Sequence, residues 1–303
     1  MLAIIAPGQG AQTPGMLIPW LFSEQSKTLL NSWSEIIELD LLRLGTTADA
    51  DEIKETANAQ PLIVAAGLLA SHALGAKDKF LFTAGHSVGE ITAAVLAGVI
   101  TPADAMQLVR LRGIEMAKAA ALKPSGMSAV LGGDRAVVLK SISGAGLVAA
   151  NDNGGGQIVA AGDLAALAKL APVGARVRAL AVTGAFHTDY MGSAVAPLRE
   201  YAKTLKVSNP SIGVLSNKDG DVINDGAQIL NLIVNQITNP VRWDLCMATL
   251  KNLGVTGVIE VPPAGILVSL IKRAEPIIET FALKSPADLE LAQEFVQRHQ
   301  ENN

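Results

Sequence analysis

Gly85-His86-Ser87-Val88-Gly89 is the stretch of this 303-residue chain whose residue types and spacing most plainly suggest chemistry. It matches G-x-S-x-G, in which flanking glycines allow a sharp strand-to-helix turn and push the serine Oγ into the open. The surroundings fit, because residues 79–84 read as a short strand and residues 87–98 have helical spacing. A helix starting at the serine aims its first N–H groups and its positive dipole end at any developing oxyanion. The chemistry expected is acyl transfer through an ester of Ser87. The competing reading is a glycine-flanked serine in an ordinary loop.

A serine nucleophile needs a base, and the chain offers four histidines. His299 falls in a polar tail and His72 on an alanine-rich helix. His86 adjoins the serine, but neighbours on a tight turn project apart, so it is expected to brace the loop. His187, in Gly184-Ala185-Phe186-His187, is the candidate base. The alternative for it is a histidine bonded to backbone at a helix entry. No acidic third member is evident, since Asp189 falls in the first turn of a helix; a backbone carbonyl suffices to orient an imidazole N–H.

Arg112 is the most informative charge. Ala105, Leu108, Val109, Arg112 and Met116 share one helical face, so a guanidinium sits in an apolar stripe. Such a group needs an anionic partner. Either an Asp or Glu of the chain supplies it, or the arginine clamps a substrate carboxylate in the two-pronged geometry that suits it better than lysine. Gly8-Gln9-Gly10-Ala11-Gln12 follows the first strand. Thr13 stands where a dinucleotide loop needs its third glycine, and a Gly-Lys-Ser/Thr ending is absent. The loop fits better as the carrier of a second oxyanion N–H.

These residues must be held by a large fold. Half of the chain is hydrophobic and 17% charged, enough for one large domain or two smaller ones. Mean hydropathy is +0.35, but the longest apolar runs, 61–70 and 91–100, reach about half the ~20 residues of a spanning helix. Membrane insertion is therefore not expected. The first residues lack a basic region and a cleavage pattern, so a cytoplasmic location is expected. One cysteine, Cys246, leaves neither a disulfide nor a multi-cysteine metal site, and a net charge of −4 without charge runs disfavours nucleic acid.

Strands are predicted at 2–6, 79–84, 212–215 and 257–261, with helices at 102–122 and 188–206 and a terminal helix from Ser285-Pro286 whose end, 297–303, frays. Between them lies β-α-β-β-α-β, with strands at 127–131, 146–150, 157–161 and 175–182 and helices at 134–141 and 163–170. That order is ferredoxin-like. The division expected is a large α/β subdomain (1–124 and 188–303) and an inserted small one (125–187).

Together the motifs resemble the malonyl-CoA:acyl carrier protein transacylases of type II fatty acid synthesis. The match runs through Gly8–Gln12, Gly85-His-Ser-Val-Gly-Glu90, Arg112-Gly113, Asn151 to Gln157, Gly184–His187, Ser216-Asn217 and Gln236 to Trp243. The resemblance implies a hydrolase-like α/β core with a parallel sheet plus the ferredoxin-like insert. It also implies Ser87 as nucleophile, His187 as base, Arg112 on the malonyl carboxylate, and the N–H groups of Gln9 and Val88 as oxyanion hole. The Gln236 carbonyl would orient His187, and Asn151 would line the site, although Asp152 and the glycines at 154–156 depart from the family's bulkier loop. Phe186 would crowd a 2-methyl branch and favour malonyl.

The activity implied is a ping-pong transfer from malonyl-CoA to an acyl carrier protein, carried out by a monomer. No cofactor or metal is needed, since the CoA thioester is a substrate. Lys169, Arg176, Arg178, Lys272 and Arg273 are candidates for docking an acidic carrier. The rivals are a serine hydrolase or thioesterase using the same turn, a non-catalytic carrier-binding module, and a malonyltransferase serving polyketide synthesis.

Overall fold

The first strand sets the architecture. In β1 (Leu2–Ala6) all five residues are buried, as an interior strand of a parallel sheet requires. Leu2, Ile4 and Ala6 point into one apolar cluster and Ala3 and Ile5 into another, so helices cover both faces. The computed structural model describes residues 1–301 of the chain. Its strands continue as β2 (Phe82–Gly85), β3 (Ser125–Gly132), β4 (Val148–Asp152), β5 (Gln157–Asp163), β6 (Ala175–Ala179), β7 (Gly213–Leu215), β8 (Val222–Ile223), β9 (Val241–Arg242), β10 (Gly257–Glu260) and β11 (Glu279–Ala282).

The larger sheet runs β11-β10-β1-β2-β7-β8 and is parallel except for the β7–β8 pair. Ala6 pairs with Gly85, so β1 and β2 end side by side. The loop Pro7–Gly10 and the turn at Ser87 therefore leave the sheet together at its carboxyl edge, the place where parallel sheets bind ligands. Thr101 caps the helix Pro102–Leu122 by accepting from the Asp104 N–H, and its buried face carries the predicted stripe with Arg112. The helix Thr56–Leu74 is long and apolar enough to cross a bilayer, yet 72% of that window is buried inside the fold, where it packs on Pro102–Leu122 as a core helix.

The second sheet runs β6-β3-β5-β4-β9, antiparallel through β4 and parallel where β9 joins. The helices Arg135–Gly144 and Leu164–Lys169 cover one face over Val130, Ile158 and Ala160. The other face, with Met127, Ala129 and Val159, lines a cleft against the larger sheet's carboxyl edge. The order of elements from β3 to β6 is the predicted one. The strand β9 is additional to the predicted set; it comes from the returning chain and ties the two sheets together through Asn151↔Val241.

Several boundaries differ from the predicted ones. The strand expected over 175–182 stops at Ala179, where residues 180–188 leave the sheet as a loop. The helix expected over 188–206 is a short 3-10 turn at Asp189–Met191, capped by the Thr188 side chain, followed by Gly192–Ala202. The terminal helix Leu289–Glu301 does not fray over 297–301, because Phe295, Val296 and His299 bury its inner face. Asn302 and Asn303 lie outside the described residues. His299 is correspondingly no tail residue. It is buried against Phe295 and bonded to Thr256 Oγ1 and Glu279.

Candidate active site

Ser87 sits in a tight turn between the strand Phe82–Gly85 and the helix Gly89–Leu96. Its φ is 53°, in the left-handed region that L-residues seldom adopt. A Cβ on Gly85 would lie 1.9 Å from the Gly89 carbonyl carbon, and one on Gly89 would lie 2.3 Å from the Ala6 oxygen. Only glycine at both positions lets the helix Gly89–Leu96 start directly against the ends of β1 and β2. Asn217 pins the turn from behind: its Oδ1 accepts from the Ser87 N–H at 2.8 Å and its Nδ2 donates to the Gly85 oxygen at 2.7 Å.

His187 reaches the turn from the loop after β6, again with a left-handed φ of 61°. Its Nε2 lies 2.8 Å from Ser87 Oγ and its Nδ1 lies 2.8 Å from the Gln236 backbone oxygen. A carbonyl can only accept, so Nδ1 carries the proton and Nε2 presents its lone pair to the hydroxyl. Burial pushes His187 down to about 3, and the Arg112 charge adds to the shift, so the imidazole is neutral at pH 7. His86 also lines the cleft but bonds Asn153 at 2.9 Å, with its ring in a T-shaped contact with Trp243. Burial also holds its pKa down. His72 is exposed and outside the cleft.

Arg112 is 1% exposed, and its partners bear on the two sequence readings. Its Nη1 donates to Gln60 Oε1 at 2.7 Å, and its Nη2 donates to Gln236 Oε1 at 2.9 Å and approaches Ser87 Oγ at 3.5 Å. These are neutral acceptors, and Nε has no partner. No Asp or Glu among the described residues forms an ion pair with it; Glu90 stands behind the Gln236 amide, within Coulombic reach only. Burial lowers Arg112 to about 10, so it stays cationic at neutral pH. The result is a buried positive charge beside the Ser87 hydroxyl, without a counter-ion in contact among the described residues.

The cleft encloses about 370 Å³ and is lined by Gln9, Ser87, Asn151, Phe186 and His187, with Leu267 opposite. Asn151 and Phe186 are both buried in its wall. Val88 follows the serine as N-cap of the helix Gly89–Leu96. Among the basic candidates, Arg176 and Arg178 pair with Leu131 and Ala129 and so share the cleft-side face of their sheet. Lys169 belongs to the helix layer on the opposite face, while Lys272 and Arg273 end the helix Ile266–Ala274. Cys246 is buried behind Asn217, and burial pushes its thiol up, out of reach of nucleophilic use.

Three side chains of this site carry no functional expectation from sequence: Gln60, Glu90 and Asn217. An Asn after a short strand and a Gln on an alanine-rich helix have no local signature. Glu90 does have one, as a carboxylate opening the apolar helix Gly89–Leu96.

The acyl transferase domain model matches residues 4–281 of the chain. The chain is 50% identical over 297 residues to the malonyl CoA-acyl carrier protein transacylase of Mycobacterium tuberculosis, covering 96% of this chain and 98% of that one. It superimposes on the crystal structure of MCAT from Mycobacterium tuberculosis with a TM-score of 0.93, covering 96% of this chain and 99% of the other at 50% identity. A type II PKS acyl-carrier protein in complex with its malonyl-transacylase is a further structural relative, with a TM-score of 0.90 at 27% identity over 97% of this chain and 99% of the matched one.

Proposed function

The chain belongs to the malonyl CoA-acyl carrier protein transacylases of the acyl transferase family, and on that premise we propose that it carries malonyl from CoA to a carrier protein's thiol through an ester of Ser87. The observation that carries the reading is the contact of one neutral histidine and one uncompensated arginine with the same serine. The first activates the oxygen, and the second awaits an anion attached to the acyl group.

In the first half-reaction Ser87 Oγ attacks the thioester carbonyl while His187 Nε2 takes its proton. The oxyanion rests on the N–H groups of Gln9 and Val88. The C–S bond then breaks, and His187 returns the proton to the departing CoA sulfur. The Gln236 carbonyl holds the transient imidazolium through Nδ1–H, which replaces an acidic third residue. The second half-reaction runs in reverse, with the carrier's phosphopantetheine thiol as attacking group. Arg112 keeps the malonyl carboxylate in place through both halves. Because the Arg112 charge depresses His187, a carboxylate bound on Arg112 also makes the base stronger when the acyl group is present.

The same reading gives a hydrolase-like core with a ferredoxin-like insert (125–187), Asn151 and Phe186 as acyl-side walls, and Arg176 and Arg178 as docking charges. It describes a cytoplasmic monomer with malonyl-CoA and acyl carrier protein as partners, without nucleic acid, membrane or cofactor. Fatty acid synthesis is the pathway it serves. The rival with substance is a thioesterase, for which water would be the acceptor. Incubation with malonyl-CoA, with and without holo-carrier protein, separates them: malonyl-carrier accumulates if the proposal holds, while free malonate released equally fast in both refutes it.

A further inference from the structure

Behind the serine, one residue links His187, Arg112 and the Ser87 turn. Gln236 gives its backbone oxygen to His187 and its Oε1 to Arg112, while its Nε2 donates to Glu90 Oε2 at 2.6 Å, Asn217 Oδ1 at 2.9 Å and the Ser87 oxygen at 3.2 Å. Which end of that amide faces Arg112 decides whether the guanidinium meets an acceptor or a second donor. We propose that Glu90 is a positioning residue for acyl selection: its two acceptor oxygens fix the Gln236 amide so that Oε1 holds Arg112 ready for a carboxylated acyl group. The inference rests on reading Arg112 as the malonyl carboxylate's partner.

Three acceptors face the Gln236 Nε2, and Glu90 Oε2 is the shortest of them. Asn217 cannot turn, because its Nδ2 is held by the Gly85 oxygen and its Oδ1 by the Ser87 N–H. Its backbone N–H donates to Glu90 Oε1 at 2.6 Å. Glu90 thus receives one donor on each oxygen, from Asn217 and from Gln236. A carboxyl oxygen accepts in either protonation state, whereas an amide nitrogen never does. At 4% exposure a donor facing a donor there is costly. The carboxyl also borders a separate polar cavity of about 410 Å³ lined by Asn231, Asn235 and Asn239, on the side of Gln236 away from the acyl cleft. Glu90 lies outside the acyl cleft and so acts through the groups it holds; the route that bears on the acyl carboxylate runs through Gln236 to Arg112.

Glu90→Gln must put an NH2 against either the Asn217 N–H or the Gln236 NH2. The Gln236 amide then turns or shifts, and Arg112 loses its acceptor. The test compares kcat and KM for malonyl-CoA and acetyl-CoA in wild type, Glu90→Gln and Glu90→Asp, after thermal melting has shown each to be folded. Wild type must first form malonyl-carrier; if it does not, the underlying reading fails and Glu90 is not at issue. With wild type active, Glu90→Gln is expected to lose about tenfold or more of the malonyl-over-acetyl preference, chiefly through KM for malonyl-CoA. Glu90→Asp, which keeps two acceptor oxygens, is expected to stay within about threefold of the wild-type preference. An unchanged preference in Glu90→Gln, or equal losses for both substrates, overturns the inference. A lost preference in Glu90→Asp also overturns it, which keeps the test decisive if Glu90→Gln does not fold.

Discussion

Replacing Arg112 by alanine should convert the enzyme's preference, not merely weaken it. Arg112 is 1% exposed and its contacts are neutral oxygens, so its charge has no ion-pair partner among the described residues, and on the proposed reading the malonyl carboxylate supplies it. In Arg112→Ala that carboxylate would be buried without a partner. Removing one member of a buried ion pair costs about 3–5 kcal/mol. At about 1.4 kcal/mol per factor of ten, malonyl transfer should fall by roughly a hundredfold to several thousandfold. Acetyl lacks the carboxylate, so its transfer should change by less than about tenfold. Arg112→Lys keeps the charge as a single point but cannot span Gln60 and Gln236 together, and an intermediate loss is expected. The assay is the initial rate of carrier-protein acylation from each CoA ester under identical conditions. An equal fall for malonyl and acetyl would refute the clamp and return Arg112 to a packing role.

The same geometry sets four further outcomes. Ser87→Gly should be more stable than Ser87→Ala by about 1 kcal/mol in chemical denaturation, because glycine relieves the left-handed φ of 53° at that turn; equal stabilities would count against strain there. His187 is pushed down from 6.5 to about 3 by burial first and Arg112 second, so free-enzyme kcat/KM should show no histidine limb near pH 6.5. Between those values the unfolded chain binds more protons than the folded one, so stability should drop as pH falls through that window, less steeply in His187→Gln. Phe186→Ser should raise the methylmalonyl-to-malonyl ratio of kcat/KM by about tenfold, the scale of a side-chain-sized change in an acyl pocket; an unchanged ratio would remove Phe186 from selection.

What can be read from sequence is what is local. The turn at Ser87 is legible because glycines, strand and helix all lie within about fifteen residues. Arg112 is legible because a charge in an apolar helical stripe violates the expected pattern. His187 is reached by elimination among four histidines. What escapes depends on distant backbone. Nothing near Gln60 announces that it faces Arg112, 52 residues on, and nothing near Asn217 announces a bond to Ser87, 130 residues back. His299 reads wrongly as a tail residue because its polar neighbours hide a helix whose inner face packs on the sheet. The strand β9 is two residues long, too short for any periodicity. The choice between a structural and a substrate-facing Arg112 also lies beyond sequence, since it turns on which groups are within reach of the guanidinium.

The central claim is that malonyl pauses on Ser87 between two thiols. It is tested most directly by intact-mass analysis with peptide mapping after mixing the enzyme with saturating malonyl-CoA, then adding holo-carrier protein. The expected result is one malonyl group on Ser87, absent in Ser87→Ala, that disappears as malonyl-carrier forms. No adduct at saturation, or an adduct lost to water at the same rate whether or not carrier is added, would contradict it.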